Sequence, residues 1–455
     1  MDKDLQRVAI NTDVFYNVQG TASYIDVLKQ VQAYMAGQTE FKLTNMTQDE
    51  IFRYKKHIEN CIITKSIKCK EIDTLSQLIE RLYNSMTQFD ILTPYLQPER
   101  YNHDGIEEIY GRWNCIYILA KNKKIRLNEK FPSSEFCLDI LNRIANRFNC
   151  NINEGTPTAL GEFAPNIRAS IVSSPITSKE LGADFNIRIV HGGKMKRKLL
   201  LDGGTIDERG LRFLELCIEY GANICIGGKT GSGKTGTIYY LLSYMAQDDT
   251  YRVGTIEIES REFNLIRYDE NGDVLNDVFH WVTRASDDER YDISANTLVE
   301  TILRFKPDIV GVGEMRNREA LMTCELATTG HGAITTIHCS SAADTYSRMV
   351  QLCKKADTNF DDDTLYQLAL SAFPIVVYQR QNKKTGARRI YEISEGVEYK
   401  NRKVVVKPLF QFIVTDNQKS SGTAIGGFKQ IGQISDGLRQ NMMDSGCTKA
   451  ELEIY

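Results

Sequence analysis

The chain has 455 residues with a formal net charge of −3, 42% hydrophobic and 25% charged residues, which gives room for about two to four domains and excludes a protein that coats nucleic acid along its whole length. Its eleven cysteines, from Cys61 to Cys447, form neither C-x-x-C pairs nor a zinc spacing with histidine, so they read as reduced core residues of a cytosolic protein. No apolar run approaches the ~18 residues of a membrane span, and "MDKDLQRVAINTDVF" lacks a signal peptide's hydrophobic segment. The expectation is therefore a cytoplasmic protein that meets membranes only peripherally.

Residues 1–100 show helical periodicity in "SYIDVLKQVQAYM" and "TLSQLIERLYNSMTQF", and predict a helical N-terminal extension. The basic runs "KKHIENCIITKSIKCK" and "KNKKIRLNEK" read as solvated faces, with acidic lipid or a partner as the alternative. Residues 101–200 change texture. "GIEEIYGRWNCIYILAKNKKIRL" alternates as strands do, "SSEFCLDILNRIANRF" is an amphipathic helix capped by Ser133 or Ser134, and "IRASIVSSP" and "DFNIRIVHGG" return to strands, giving a small α+β domain.

Residues 201–455 begin with the polar joint "LDGGTIDERG" and the helix "LRFLELCIEYG". Short apolar strands then alternate with helices: "NICIG", "RVGTIEI", "DIVGVG", "AITTIH" and "PIVVYQ". Such alternation predicts an α/β fold with a parallel sheet and ligands at the carboxyl ends of its strands. "ARRIYEISEGVEYKNRKVVVKPLFQF" predicts an antiparallel meander, and "QKSSGTAIGG" a Gly/Ser-rich join before a last short helix.

Between the first of these strands and the helix after it stands "GGKTGSGKTG". Gly228, Gly233, Lys234 and Thr235 satisfy G-x-x-x-x-G-K-[ST], the loop whose backbone N–H groups face a triphosphate, whose lysine reaches the β and γ phosphates and whose hydroxyl holds Mg²⁺. The cradle runs from Gly228 through Lys229, Thr230, Gly231, Ser232 and Gly233 to Gly236, and calls for ATP and Mg²⁺. The competing reading is an ordinary tight turn. The strand before and the helix after, aiming its dipole at an anion, favour phosphate.

Hydrolysis also needs a group that orients or deprotonates water. In "LRFKPDIVGVGEMRNREA" a strand, Ile309 to Val312, ends in Gly313-Glu314, and a carboxylate on the strand beside the phosphate-loop strand is placed to act on Mg²⁺, through water, or on the attacking water. A solvated glutamate after a strand is the plain alternative. Further on, "ATTGHGAITTIHCSSAADTYSRM" brackets a strand with His331 and His338. A zinc pair is one reading of them, but no Cys, Asp or Glu nearby completes a ligand set.

Four boxes in this order, "GGKTGSGKT", "TIEIESREF", "PDIVGVGEMR" and "TTGHGAITTIH", make the chain from about Gly105 onward resemble the secretion-superfamily traffic ATPases of type II and type IV secretion and type IV pili, closest to the tight-adherence pilus and conjugation branch. The resemblance implies a RecA-like P-loop core with a smaller α+β N-terminal domain. It also implies Glu314 as general base, Glu257 and Glu262 as acidic-box carboxylates, and His331 and His338 near the γ-phosphate. Arg261, Arg284, Arg304 and Arg316 match family arginines that follow the core boxes, and Arg188 matches one in the smaller domain that closes over nucleotide. Two positions depart from the family: Ile258 replaces an acidic-box Asp, for which Glu259 is the nearest substitute, and Glu162 replaces an arginine while Arg168 is kept.

The resemblance further implies a homohexamer at the cytoplasmic face of a polytopic inner-membrane protein, with pilin, protein or a relaxase–DNA complex as cargo. No direct sequence-specific nucleic-acid binding is expected. A DNA translocase and an ATP-gated scaffold with little turnover are the two competing functions.

Overall fold

The structure, a computed structural model, describes residues 22–38, 46–96, 105–120, 123–164, 166–189, 195–247, 249–258, 262–284, 291–382, 384–419 and 422–455. It divides into two compact units, Met1–Val190 and His191–Tyr455.

Among the described residues the first unit begins with helices α1 (Tyr24–Met35), α2 (Gln48–Thr64) and α3 (Leu75–Thr87). Each starts where a hydroxyl caps it: Ser23, Thr47 (a capping box with Glu50) and Thr74. Their apolar stripes meet in a core of Val27, Val31, Ile58, Cys61, Leu78 and Leu82. The basic run "KKHIENCIIT" is thus one amphipathic helix, whose Ile58, Cys61 and Ile62 face inward.

The same unit holds strands β1 (Ile106–Arg112), β2 (Cys115–Ala120), β3 (Lys123–Arg126), β4 (Thr158–Ala164), β5 (Ile167–Val172) and β6 (Asp184–Ile189), in the order β3-β2-β1-β6-β5-β4. Helix α4 (Ser134–Asn146), capped by Ser133, buries Ile140, Leu141 and Ile144 in the same core as Ile109, Ala169 and Ile187. With period-two alternation the intervening residues share the other face. There Arg188 on β6 stands between Glu108 on β1 and Arg168 on β5, and Arg168 is opposite Glu162 on β4.

Among the described residues the second unit is built on nine strands: β7 (Ile224–Gly228), β8 (Val253–Glu257), β9 (Val278–Val282), β10 (Ile309–Met315), β11 (Gly332–Ile337), β12 (Ile375–Gln381), β13 (Arg388–Lys400), β14 (Lys403–Asn417) and β15 (Ala424–Gln430). Their order is β15-β14-β13-β12-β7-β11-β10-β8-β9. From β12 to β9 every pairing is parallel, and β13 to β15 add an antiparallel meander.

Helices α5 (Arg197–Asp202), α6 (Glu208–Glu219) and α7 (Lys234–Met245) belong to one layer, whose Leu211, Leu214, Ile238 and Leu242 share a core with β7. Helices α8 (Ala295–Ile302), α9 (Glu319–Ala327), α10 (Ala342–Cys353) and α11 (Asp362–Ala372) cover the opposite face, and α12 (Asp436–Asp444) returns to the first layer through Leu438 and Met442. This is the doubly covered parallel sheet of a RecA-like P-loop core.

Two expectations are corrected. The strand carrying Glu314 does not lie beside the phosphate-loop strand. β11 runs between them, its Ala333 to Ile337 all buried as a central strand requires. The Gly/Ser-rich join is half strand, because β15 pairs with β14 where a Cβ on Gly426 would come within 2.0 Å of Ile413 O. Strands β4 and β9 lie outside the segments whose alternation predicts strands. Among the described residues no helix is long and apolar enough to cross a membrane.

Candidate active site

β7 is buried along all five residues and delivers the chain into a loop whose backbone only glycine tolerates. Gly231 has φ +77 and Gly233 φ +95. A Cβ on Gly233 would meet Arg388 Cδ at 2.9 Å, and one on Gly228 would meet Gln379 O at 2.2 Å. Helix α7 then starts at Lys234 with no side chain capping it, so its first N–H groups face into the loop's concavity.

Lys234 is 7% exposed and turns back into this loop, donating to Gly228 O at 3.1 Å and Lys229 O at 3.4 Å. Burial pulls its pKa below that of an ordinary lysine, against the opposing pull of Glu314. Ser232, 1% exposed, buries a hydroxyl with no hydrogen-bond partner among the described residues. A buried cation, an orphaned hydroxyl and an uncapped helix start around a glycine cradle fit a phosphate chain. Thr235, the second residue of α7, supplies a hard oxygen of the kind that Mg²⁺ takes.

The loop is linked to the end of β10. Lys234 Nζ lies 3.4 Å from His338 Nδ1, and His338 Nε2 lies 2.7 Å from Glu314 Oε1. Lysine only donates, so Nδ1 is the accepting nitrogen in that contact, and Nε2 is the nitrogen turned to the carboxylate. On its other side Glu314 Oε2 receives Arg316 through Nε at 2.6 Å and Nη2 at 2.6 Å. Burial alone would raise the pKa of Glu314, but His338 and the Arg316 charge outweigh it and hold the carboxyl below the usual glutamate value. The result is an ionised, well-fixed carboxylate at the carboxyl edge of the sheet.

Glu257 ends β8 in the same edge, 3% exposed, within reach of Gly313: a Cβ there would lie 3.8 Å from Glu257 Cγ. Its Oε2 accepts from the backbone N–H of Glu262 and, at 2.9 Å, of Phe263. Glu257 therefore folds its own loop, and Glu262 takes part through its backbone. Ile258, half-buried, follows Glu257; Glu259 and Arg261 lie outside the described residues.

Other predicted site residues stand elsewhere. His331 precedes β11, and its Nδ1 sits 2.8 Å from Pro307 O. β11 is parallel to β7 and separates His331 from His338 by its six residues, roughly 20 Å of strand. His331 is thus at the amino edge of the sheet, away from the loop, and the two histidines cannot share one metal ion. Arg304, in the short turn Leu303–Phe305 that leads into β10, is likewise before its strand. Arg284 follows β9 and spends its guanidinium on Tyr291 O, at 2.8 Å from Nη2. Arg188 is on the first unit's sheet.

The structure adds residues that no motif marked. Gln379 on β12 accepts from Thr237 at 3.0 Å and walls the loop, and Arg388 on β13 donates to Gly231 O at 3.2 Å. The only sequence signal was the run Gln379-Arg380-Gln381, polar residues closing an apolar strand as Gly313-Glu314 closes another.

A profile of the family described as "Type II/IV secretion system protein" matches residues 166–406. An uncharacterized protein of Methanocaldococcus jannaschii is 27% identical over 312 residues, covering 68% of this chain and 53% of its own length. The type IV secretion system protein VirB11 of Bartonella henselae is 28% identical over 174 residues, covering 36% of this chain and 44% of its own. The chain thus spans about half the length of these curated relatives. Among solved structures, the Legionella pneumophila ATPase DotB is similar with a TM-score of 0.47 at 19% identity, over 67% of this chain and 81% of that one.

Proposed function

The chain belongs to the type II/IV secretion system protein family, and from that premise we propose that it hydrolyses ATP to drive a secretion, pilus-assembly or conjugative-transfer machine. The observation that carries the reading is the chain of contacts Lys234–His338–Glu314–Arg316 at the mouth of the glycine loop.

In this reading ATP with Mg²⁺ supplies the phosphoanhydride, and Thr235 with Glu314, through water, would hold the ion. Lys234 trades the carbonyls of Gly228 and Lys229 for phosphate oxygens, a charge-assisted and stronger bond. That exchange loosens its hold on His338 Nδ1 and couples the loop to the base. Glu314, kept ionised by Arg316 and oriented by His338, accepts a proton from the attacking water. Burial of Lys234 and Glu314 strengthens these charges relative to water. Glu257 holds the neighbouring loop in place.

The VirB11 relative is named for type IV secretion, which supports a membrane machine as the setting. The further proposals are a homohexamer, peripheral placement at the cytoplasmic face of a polytopic membrane protein, and nucleotide contacts from Arg188, Arg261 and Arg284 in the assembled state.

Phosphate release by the full chain, with and without single-stranded DNA, tests the activity. The expected result is ATP hydrolysis that DNA changes by less than about twofold. A rate strictly dependent on DNA would make the protein a translocase, and no release would make it a gated scaffold. Light scattering with a non-hydrolysable ATP analogue should show a hexamer; a strict monomer would remove that part of the proposal.

A further inference from the structure

We propose that the second unit carries another ligand site, for an anionic aromatic molecule of the nucleotide class, in a cavity on the outer side of the phosphate loop. The cavity measures about 1150 Å³ and is bounded by Lys229 and Thr230 of the loop, Ser340 and Ser341 before α10, and the β12–β15 meander. It shares Lys229 and Thr230 with the phosphate cradle, but none of Lys234, Thr235, Glu314 and His338 lines it, so it adjoins the catalytic groups without containing them.

Three cations, Lys229, Arg380 and Lys384, reach its wall, and none of them is ion-paired among the described residues. The carboxylate that lines it, Glu392, is already engaged by Ser394 and Gln411. Three cations against this one carboxylate leave the lining net positive, which favours an anion. Its opposite wall is aromatic. Tyr391 and Phe412 meet edge-to-face with centroids 5.7 Å apart, and the Arg380 guanidinium lies 5.0 Å from the Tyr391 ring. Rings and a stacked guanidinium form a platform for a planar group. The amide of Asn417, at the end of β14, adds a group that both donates and accepts, as the edge of a base requires. An acidic peptide would satisfy the cations, but it would use neither the ring platform nor the amide.

The test uses the full-length Lys234→Ala protein, in which the phosphate loop is disabled, titrated calorimetrically with AMP, GMP and, separately, inorganic phosphate. One mononucleotide is expected to bind per chain. Arg380→Glu should weaken nucleotide and phosphate alike by at least about tenfold, and Phe412→Ala should weaken the nucleotides by about tenfold while leaving phosphate within about twofold. Lys384→Glu, on the exposed turn after β12, repeats the charge test should Arg380→Glu fail to fold. Absence of mononucleotide binding in Lys234→Ala, binding indifferent to both charge reversals, or capture of a polyglutamate peptide in place of AMP would overturn the proposal. Loss of hydrolysis in the unmutated chain would sink the ATPase reading and leave this site standing; intact hydrolysis with no second nucleotide would do the reverse.

Discussion

The two ends of the central strand β11 are a controlled comparison within one motif. At its amino end Asn223 is buried and fully used: its amide donates to Ala327 O and Ala372 O, both at 2.8 Å, and its carbonyl accepts from Ala333 N at 2.7 Å. His331 beside it is occupied by Pro307 O. At the carboxyl end, one strand length away, the same sheet holds an orphaned Ser232 hydroxyl, a lysine bonded to its own loop and an ionised glutamate between a histidine and an arginine. A satisfied edge makes stability, whereas an edge whose polar groups await partners makes chemistry. Two histidines seven positions apart are equal in the sequence and unequal in the fold.

The largest effect that can break this comparison is at the loop. Lys234→Ala should abolish both ATP binding and hydrolysis, since its cation is the one buried in the cradle; retention of micromolar ATP affinity, measured with a fluorescent analogue, would contradict the assignment. Next come the two histidines. His338→Ala should lower kcat by about 10²-fold or more, while His331→Ala should leave it within about threefold, and equal losses would mean that the amino edge reaches the reaction, through a neighbouring copy or otherwise.

The amino edge has its own signature. Asn223→Ala leaves two carbonyls and an N–H without their partner, so it should lower unfolding free energy by about 2–4 kcal/mol. Its kcat per folded molecule should stay unchanged, and a large kcat loss without a stability loss would reverse the roles of the two ends.

The smallest effect is a pH dependence. Glu314 has a folded pKa below the ordinary 4.5, so its ionised form adds stability that is full above that value and is lost as pH falls through the folded one. The stability gap between the unmutated chain and Glu314→Gln, from urea midpoints, should therefore shrink between pH 7 and pH 3.5. A gap that widened toward acid would place the pKa shift in the other direction.

Much of the site was legible because its signals are local. The glycine loop, Glu314 closing an apolar strand, and the strand–helix alternation of residues 201–455 depend on backbone conformation and nearby residues. What was not legible depends on pairing between distant segments. Nothing in "GAITTI" says that it inserts between β7 and β10, and it is this insertion that brings His338 to Glu314 and carries His331 away. Arg388 and Gln379 reach the loop through strand pairings 150 residues and more downstream, and β15 hid in a Gly/Ser-rich stretch because the close backbone approach at Gly426 is a property of the pair of strands. In the first unit, the capping box of Thr47 and Glu50 opens the helix that carries the basic run, and its buried positions, Tyr54, Ile58, Cys61 and Ile62, leave the lysines outside the core, as a solvated face requires.

The account rests on Glu314 acting in the transition state and not in binding. Glu314→Gln keeps the size of the side chain and its capacity to face His338, and removes the basic carboxylate. Equilibrium ATP binding and single-turnover hydrolysis, measured on the same full-length preparation, should show affinity kept within a few-fold and the chemical step slowed by about 10²–10⁴-fold. Turnover close to that of the unmutated chain would place the base elsewhere, and ATP affinity lost as completely as in Lys234→Ala would make Glu314 a binding group.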